Sequence, residues 1–147
     1  MSLKKKLESE MKEFLRAKDT LRLNTLRFLL AQIKNKEIDI RRELTDEEIF
    51  KVIQTLVKQR KESIDFSEKA GRTDLVDKEK EELKILESYL PKMLSDDEIS
   101  NIIDEIANEI GANGSKDFGR LMKAVMAKVA GRAEGNKVNE LVKKRLG

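Results

Sequence analysis

The stretch "YLPKMLSDDE", residues 89–98, decides how the chain is divided into domains. Pro91 discourages a continuous helix here, because proline lacks a backbone N–H and restricts the residue before it. Ser95 and Glu98 then have the spacing of a capping box, in which each side chain accepts a hydrogen bond from the other residue's backbone amide at a helix start. We therefore predict an N-terminal domain over residues 1–91 and a C-terminal domain over residues 92–147.

Upstream of this boundary, apolar residues recur every three or four positions, which is the spacing of helices that bury one side. The predicted helices cover about residues 3–17, 20–36, 46–69 and 74–90. Only a few residues around Gly71 separate the last two, so we expect them to form a long antiparallel hairpin. In the second helix, Leu21, Phe28 and Leu29 broaden the apolar stripe, which predicts a central helix that its neighbours cover well.

Side chains that cap helices mark several of the expected ends. Asp19 precedes the second helix, and Thr45 and Glu48 repeat the capping box before the third. Downstream of the boundary we predict a fifth helix after Ser95, a sixth that Ser115 caps and Gly131 ends, and a seventh from Asn136 to Leu146, capped by Asn136. The expected fold class is all-α, with an N-terminal helical domain containing the long hairpin and a C-terminal three-helix module.

The composition excludes several kinds of chemistry. The 147 residues include no Cys and no His, which removes disulfides, thiol nucleophiles and the commonest metal ligand and general base near neutral pH. The glycines of "GRAEGNK", residues 131–137, are one residue too close for a phosphate-binding P-loop. We therefore predict no catalytic residue, no metal and no cofactor. No apolar run approaches the ~20 residues of a membrane helix, so we expect a cytoplasmic protein with no membrane partner.

Charge is distributed in blocks that nearly cancel over the whole chain, whose net charge is +3. Residues 95–114 contain six acidic and no basic residues, whereas residues 115–147 contain nine basic and three acidic ones. Such blocks can complement each other within the fold, or a basic block can face an anionic partner.

The sixth helix and the turn after it carry the most informative basic cluster. Its members are Lys116, Arg120, Lys123, Lys128, Arg132 and Lys137. At 100° per residue, the first three lie together opposite the apolar stripe and the fourth lies on their flank. Lys and Arg bind phosphates with little dependence on sequence, and the region has no aromatic platform for stacking unpaired bases. The cluster therefore favours folded RNA as a partner, and its alternative is an ordinary solvated helix face.

A second basic face lies on the second helix and consists of Arg22, Arg27 and Lys34. These side chains can contact a partner, or they can pair with the third and fourth helices, because residues 43–91 carry a net charge of −4. We expect the internal ion pairs, since opposite charges close in sequence are often close in the fold.

Three stretches of the sequence resemble the GatB/YqeY family, in particular its stand-alone YqeY-like proteins. They are "AKDTLRLNTLRFLLAQIKNKEID" (17–39), "LVKQRKESIDFSEKAGRTDLVDKEKEELKILESYLPKMLSDDEI" (56–99) and "KDFGRLMKAVMAKVAGRAEGNKVNELVKKRL" (116–146). The most specific parts are "YLP" at 89–91 and the corner "GRAEGNKVNELVK" at 131–143. The resemblance covers essentially the whole chain.

The resemblance implies an all-helical protein whose C-terminal module is similar to the tail of the B subunit of the glutamine-dependent Asp/Glu-tRNA amidotransferase. In that enzyme the tail engages the body of the tRNA, away from the reacting aminoacyl end. Carried over to this chain, the resemblance adds Asn136 to the RNA-binding candidates, beside Arg132 and Lys137. Two departures matter: Gly135 stands where many amidotransferase tails have proline, and the catalytic cradle of the B subunit has no counterpart here.

The function implied is a non-catalytic module that binds tRNA or another structured RNA, with an aminoacyl-tRNA or an amidotransferase-related protein as a further partner. One alternative is a protein-interaction adaptor that binds no RNA. The other is a carbon–nitrogen ligase activity with glutamine as amido-N-donor, a family-level label that this chain would exercise only as part of a complex.

Overall fold

The computed structural model describes residues 2–129 and 131–147, and within them it contains seven α-helices, one short 3-10 turn and no strand. The chain separates into two compact units, Met1–Leu90 and Pro91–Gly147. The prediction of an all-α fold is confirmed. The helices of the first unit are α1 (Leu3–Arg16), α2 (Thr20–Ile40), α3 (Asp46–Lys69) and α4 (Thr73–Glu87). Those of the second are α5 (Asp96–Ile110), α6 (Phe118–Val129) and α7 (Gly135–Leu146), with the 3-10 turn at Ser115–Asp117.

The long antiparallel hairpin is formed by α3 and α4, as predicted. Gly71 lies between them with φ of +70°, a left-handed conformation that glycine adopts without steric cost. Side chains join the two helices across the hairpin: Ser67 donates to Glu79 over 3.0 Å, and Arg60 pairs with Glu82 over 3.2 Å. The fourth helix ends at Glu87, before the predicted position, and Tyr89 and Leu90 form a tighter turn ahead of Pro91.

The core of the first unit is aliphatic, and α2 is central to it. Its buried members are Leu7, Leu26, Leu29, Ile33, Leu44, Ile49, Ile53, Leu56, Val57 and Leu86. The second helix continues to Ile40, beyond its predicted end, because Ile40 extends the apolar stripe against the same core. The expectation of a well-covered α2 does not hold at Phe28, which is 46% exposed.

The predicted caps of α2, α3 and α5 are confirmed. Asp19 accepts the Arg22 amide, and both capping boxes are complete, Thr45 with Glu48 and Ser95 with Glu98. Hydrogen bonding from Arg42, over 2.7 Å, together with the backbone amide of Thr45, lowers the pKa of Glu48 to about 2. These contacts satisfy backbone donors that have no partner inside the helix.

The second unit packs its three helices around their own core. Its buried residues come from all three helices and the turns: Ile99, Ile103, Ile106, Ala107, Ala112, Leu121, Val125, Val129, Ala133, Val138 and Val142. The backbone amide of Leu94, just before α5, donates to the carbonyl of Arg132 over 2.8 Å. That bond ties the segment entering α5 to the corner between α6 and α7. The shared core and this hydrogen bond fix the positions of α6, α7 and the corner between them, which carry the predicted basic residues.

Candidate nucleic-acid interface

The sixth helix has an inner apolar side and an outer basic side. Leu121, Val125 and Val129 follow one another at intervals of four residues and are completely buried. Because these three positions face inward, other residues of α6 face outward. The exposed residues of α6 are Gly119, Arg120, Lys123, Ala127 and Lys128. Lys116, in the 3-10 turn that leads into α6, is also exposed. We call Lys116, Arg120, Lys123 and Lys128 the α6 basic face.

Three lysines of the α6 basic face have ammonium groups that are exposed and available to bind a partner. Lys116, Lys123 and Lys128 make no side-chain hydrogen bond or ion pair with any residue in 2–129 or 131–147. Gly119 and Ala127 lie one turn before and after Lys123, and a side-chain carbon added at Gly119 would meet no atom within 4 Å. The surface around Lys123 is therefore open enough for an extended anionic chain to approach.

Arg120 is engaged with a carboxylate that also shapes the turn before α6. Its Nη2 lies 3.2 Å from Oδ1 of Asp117, while Oδ2 of Asp117 accepts the backbone amide of Asn113 over 3.1 Å. The Asn113 amide is the main cause of a lowered pKa for Asp117, with smaller contributions from Arg120 and Lys116. The prediction that Ser115 caps the sixth helix is wrong, because Ser115 opens the 3-10 turn and makes no side-chain cap bond.

The corner after α6 uses its arginine to satisfy helix carbonyls. Gly131 has φ of +81°, consistent with its predicted role in ending the helix. Nε of Arg132 donates to the carbonyl of Val129 and Nη2 to that of Lys128, each over 3.1 Å. These carbonyls belong to the last turn of α6, where acceptors lack intrahelical partners and a positive charge is favourable. In this structure Arg132 is therefore largely committed to the fold.

The seventh helix begins one residue before its predicted start. Gly135 is its first residue, and the preceding Glu134 makes no side-chain cap bond. The prediction that Asn136 caps α7 is therefore wrong, and Asn136 is instead an exposed residue of the first turn. The extended conformation of Glu134, with ψ of 139°, lets the helix start directly at the glycine.

Two basic residues of α7 pair with carboxylates of α5. Lys137 lies 3.3 Å from Asp96, and Arg145 lies 2.7 Å from Asp104. A third, Lys143, has its Nζ 5.9 Å from the centre of the Phe118 ring, within the range of a cation–π contact. The acidic segment 95–114 and the basic segment 115–147 thus complement each other along α7 but not along the outer side of α6.

The second basic face does not form the expected pairs with α3 and α4. Arg22 pairs with Asp19 over 3.5 Å and lies over the ring of Phe14 at 5.8 Å. Arg27 and Lys34 are exposed, and within the described ranges neither makes an ion pair. The expectation of internal bridges is therefore wrong: Arg22 is engaged at the start of α2 by Asp19 and Phe14, and Arg27 and Lys34 lie at the exposed edge of the buried stripe, which consists of Leu23, Leu26, Leu29 and Ile33.

The described residues contain no group of three or more acidic, His or Cys side chains that could bind a metal ion. None of the described helices is both long enough and apolar enough to cross a membrane.

Comparisons with known proteins place these features in a family. Residues 4–146 match the sequence profile of the family described as Yqey-like protein. Curated fungal proteins named "Altered inheritance of mitochondria protein 41, mitochondrial" are also similar. The one from Vanderwaltozyma polyspora is 36% identical over 126 residues, which is 84% of this chain and 66% of the relative. The one from Kluyveromyces lactis is 45% identical over 84 residues, or 56% of this chain and 45% of the relative.

A third relative of that name, from Lachancea thermotolerans, is 36% identical over 107 residues, 68% of this chain and 57% of the relative. The chain thus spans less than two thirds of the length of each of these three relatives. The family profile, by contrast, extends over nearly all of the chain and includes both the α3–α4 hairpin and the basic residues of α6 and α7. On this evidence, the chain belongs to the YqeY-like family.

Proposed function

We propose that the chain is a non-catalytic module that binds tRNA or another structured RNA through the α6 basic face. The observation that carries the proposal is the set of three exposed lysines, Lys116, Lys123 and Lys128, whose side chains make no hydrogen bond or ion pair with the described residues. Such lysines bind the phosphates of a nucleic acid favourably, because each contact releases counterions from the nucleic acid.

A folded RNA fits this face better than a single strand. Unpaired bases are bound by stacking on exposed aromatic rings, and the one aromatic residue of α6, Phe118, is partly buried against the core of its unit. Lysines on a helix, with small residues between them, suit the sugar–phosphate backbone of a duplex region, which is recognised mainly by shape and charge. The resemblance of this unit to the tail of the amidotransferase B subunit supports tRNA as the RNA concerned.

The proposed role is accessory to tRNA-dependent amidation, with an aminoacyl-tRNA or an amidotransferase-related protein as a partner. We assign no catalytic step to this chain, so the carbon–nitrogen ligase label, with glutamine as amido-N-donor, would describe the activity of a complex. A cytoplasmic location belongs to this proposal as well. The names of the fungal relatives state a mitochondrial location for those proteins.

Filter binding with an unfractionated tRNA preparation at low salt tests the proposal. The variant is Lys116→Glu/Lys123→Glu/Lys128→Glu, which reverses three charges that make no described hydrogen bond or ion pair. Three lost phosphate contacts, at up to about 1 kcal/mol each, predict roughly a tenfold to hundredfold loss of affinity.

The matched control is Lys12→Glu/Lys58→Glu/Lys61→Glu, which makes the same change of charge at exposed lysines of the first unit. We expect it to weaken binding much less. Equal losses in the two variants would show that net charge alone matters, and unchanged affinity in a folded α6 variant would refute the assigned face.

A further inference from the structure

One side of α2 is left uncovered by the other helices of its unit and carries apolar residues. We call this side the α2 outer face, and it consists of Leu21, Asn24, Phe28, Ala31, Asn35 and Ile38. All but Leu21 are exposed, and the exposed fractions of Phe28 and Ile38 are 46% and 63%. Two large apolar side chains on one face of a helix are the kind of feature that marks a contact with another protein.

The spacing on the α2 outer face is that of a helix that packs along a second helix. Its six residues are separated by three, four, three, four and three positions, the spacing of the two core positions of a heptad repeat. Asn24 and Asn35 interrupt the apolar residues, and asparagine at such positions fixes the register of paired helices at some cost in stability. The buried stripe of α2 faces its own unit, so this second stripe remains for a partner.

A groove runs beside the α2 outer face. Leu21 and Phe28 line a cavity of about 450 Å³ that Leu86 of α4 also lines. One turn after Phe28, Gln32 lines a second cavity of about 360 Å³, whose other wall is formed by α3. The two cavities therefore follow each other along α2, and together with the exposed ridge they offer pockets for side chains of a helix laid alongside.

The charges around this surface select an acidic partner. Arg27 and Lys34 line one edge of the α2 outer face, and neither makes an ion pair among the described residues. On the groove side, Lys36 and Lys51 line one cavity and Lys78 the other, again exposed and without a described ion pair. The carboxylates in the same linings are already paired, Glu48 with Arg42 and Glu82 with Arg60. A helix with carboxylates flanking its apolar stripe would meet cations on both edges, whereas a second copy of this chain would bring further cations to the same place.

We infer that the α2 outer face and its groove bind an amphipathic helix of another protein, one whose apolar stripe is flanked by Asp and Glu. RNA is a weaker fit, because phosphates would leave Phe28 and Ile38 uncovered. The inference concerns the first unit only and does not depend on the RNA site of the second unit. It provides the chain with a protein contact that is separate from the α6 basic face.

A designed peptide tests this inference directly. The probe is a fluorescent helix of about four heptads with Leu at the core positions and Glu at the flanking ones, and its control carries Lys in place of Glu. Fluorescence anisotropy should show binding of the acidic peptide but not of the basic one. The variant Phe28→Ala/Ile38→Ala should weaken binding about tenfold or more. Phe66→Ala, which removes a 74% exposed ring from α3, should leave it unchanged.

Several outcomes would overturn the inference. They are absence of binding by the acidic peptide, equal binding of both peptides, and equal effects of the double variant and Phe66→Ala. A dimer of the chain in sedimentation that Phe28→Ala/Ile38→Ala dissociates would assign the face to a second copy. Displacement of the peptide by tRNA from the Lys116→Glu/Lys123→Glu/Lys128→Glu variant would assign it to RNA. If the Lys116→Glu/Lys123→Glu/Lys128→Glu variant still binds the peptide, the inference is supported independently of the proposed function, whatever the affinity of this variant for tRNA.

Discussion

The helices α6 and α7 are similar in sequence character but differ in how available their positive charge is. Each has 12 residues, buries valines on its inner side and exposes basic residues on its outer side. In α7, Lys137 and Arg145 lie within 3.3 Å and 2.7 Å of carboxylates of α5. In the described residues, Lys123 and Lys128 of α6 have no such acceptor. The comparison shows that the position of an acidic neighbour decides which cations are engaged: α5 pairs with Lys137 and Arg145, whereas the exposed Lys144 of α7 makes no ion pair among the described residues.

The ion pairs of α7 are not a strong source of stability. The side chains of Lys137 and Asp96 are 44% and 62% exposed, and exposed pairs typically contribute only about 0 to 1 kcal/mol. Under the proposed function their effect is different in kind, since a carboxylate beside a cation opposes the approach of a phosphate. Among the described residues, the one carboxylate paired with a cation of the α6 basic face is that of Asp117, which engages Arg120. The two helices should therefore respond alike to changes in the core and differently to changes of surface charge.

The largest effect is expected where the two helices are equivalent, in the core. Val125 of α6 and Val142 of α7 are both completely buried. Replacing either by Ala removes two methyl groups and leaves a cavity, so each variant should lose about 2 kcal/mol of unfolding free energy. Urea denaturation followed by circular dichroism measures this loss. A loss confined to one of the two variants would contradict the equivalence of their inner sides.

A smaller effect should separate two neighbouring cations at the end of α6. The variant Arg132→Ala removes two hydrogen bonds to the last carbonyls of the helix and should cost about 1 kcal/mol of stability. Lys128→Ala makes the same change of charge but removes no described contact, so its stability should be unchanged. Its affinity for tRNA should fall further than that of Arg132→Ala. If Arg132→Ala instead left stability unchanged and lost more tRNA affinity than Lys128→Ala, the structural role of Arg132 and the binding role of Lys128 would both be contradicted.

The smallest effect should come from releasing a cation of α7. In Asp104→Asn the charge that holds Arg145 is gone, so tRNA affinity should rise about twofold while stability changes by less than about 0.5 kcal/mol. Asp97→Asn is the control, because Asp97 is an exposed residue of α5 that makes no described ion pair. Filter binding compares the two. Equal gains would mean that the general field of α5, and not the pairing of Arg145, limits binding.

Much of the fold could be predicted because its signals are local. The capping boxes at Thr45 and Ser95 and the turn at Gly71 depend on residues within a few positions of one another. The exposure of Phe28 could not be predicted in this way. An apolar residue next to a buried stripe is covered only if a neighbouring helix reaches that side, and this depends on the packing angles of the other helices.

The candidate site was predictable to a similar extent. Periodicity alone placed Lys123 opposite the buried side of α6, and the structure leaves it exposed. The contacts of Arg132 and Lys137 were not foreseen, since one bonds carbonyls of the preceding helix and the other a carboxylate 41 positions away in sequence. Such pairs are determined by tertiary packing. The net charge of a sequence block shows that pairing is possible but does not identify the residues that pair.

The salt dependence of tRNA binding tests the central claim, that α6 and not α7 provides the contacts to phosphate. The dissociation constant would be measured from about 50 to 300 mM KCl for the unmodified chain, Lys123→Gln and Lys137→Gln. Each lost phosphate contact reduces the slope of log Kd against log salt by about 1, so Lys123→Gln should show that reduction and Lys137→Gln should show much less. Equal reductions in both variants, or none in Lys123→Gln, would contradict the claim.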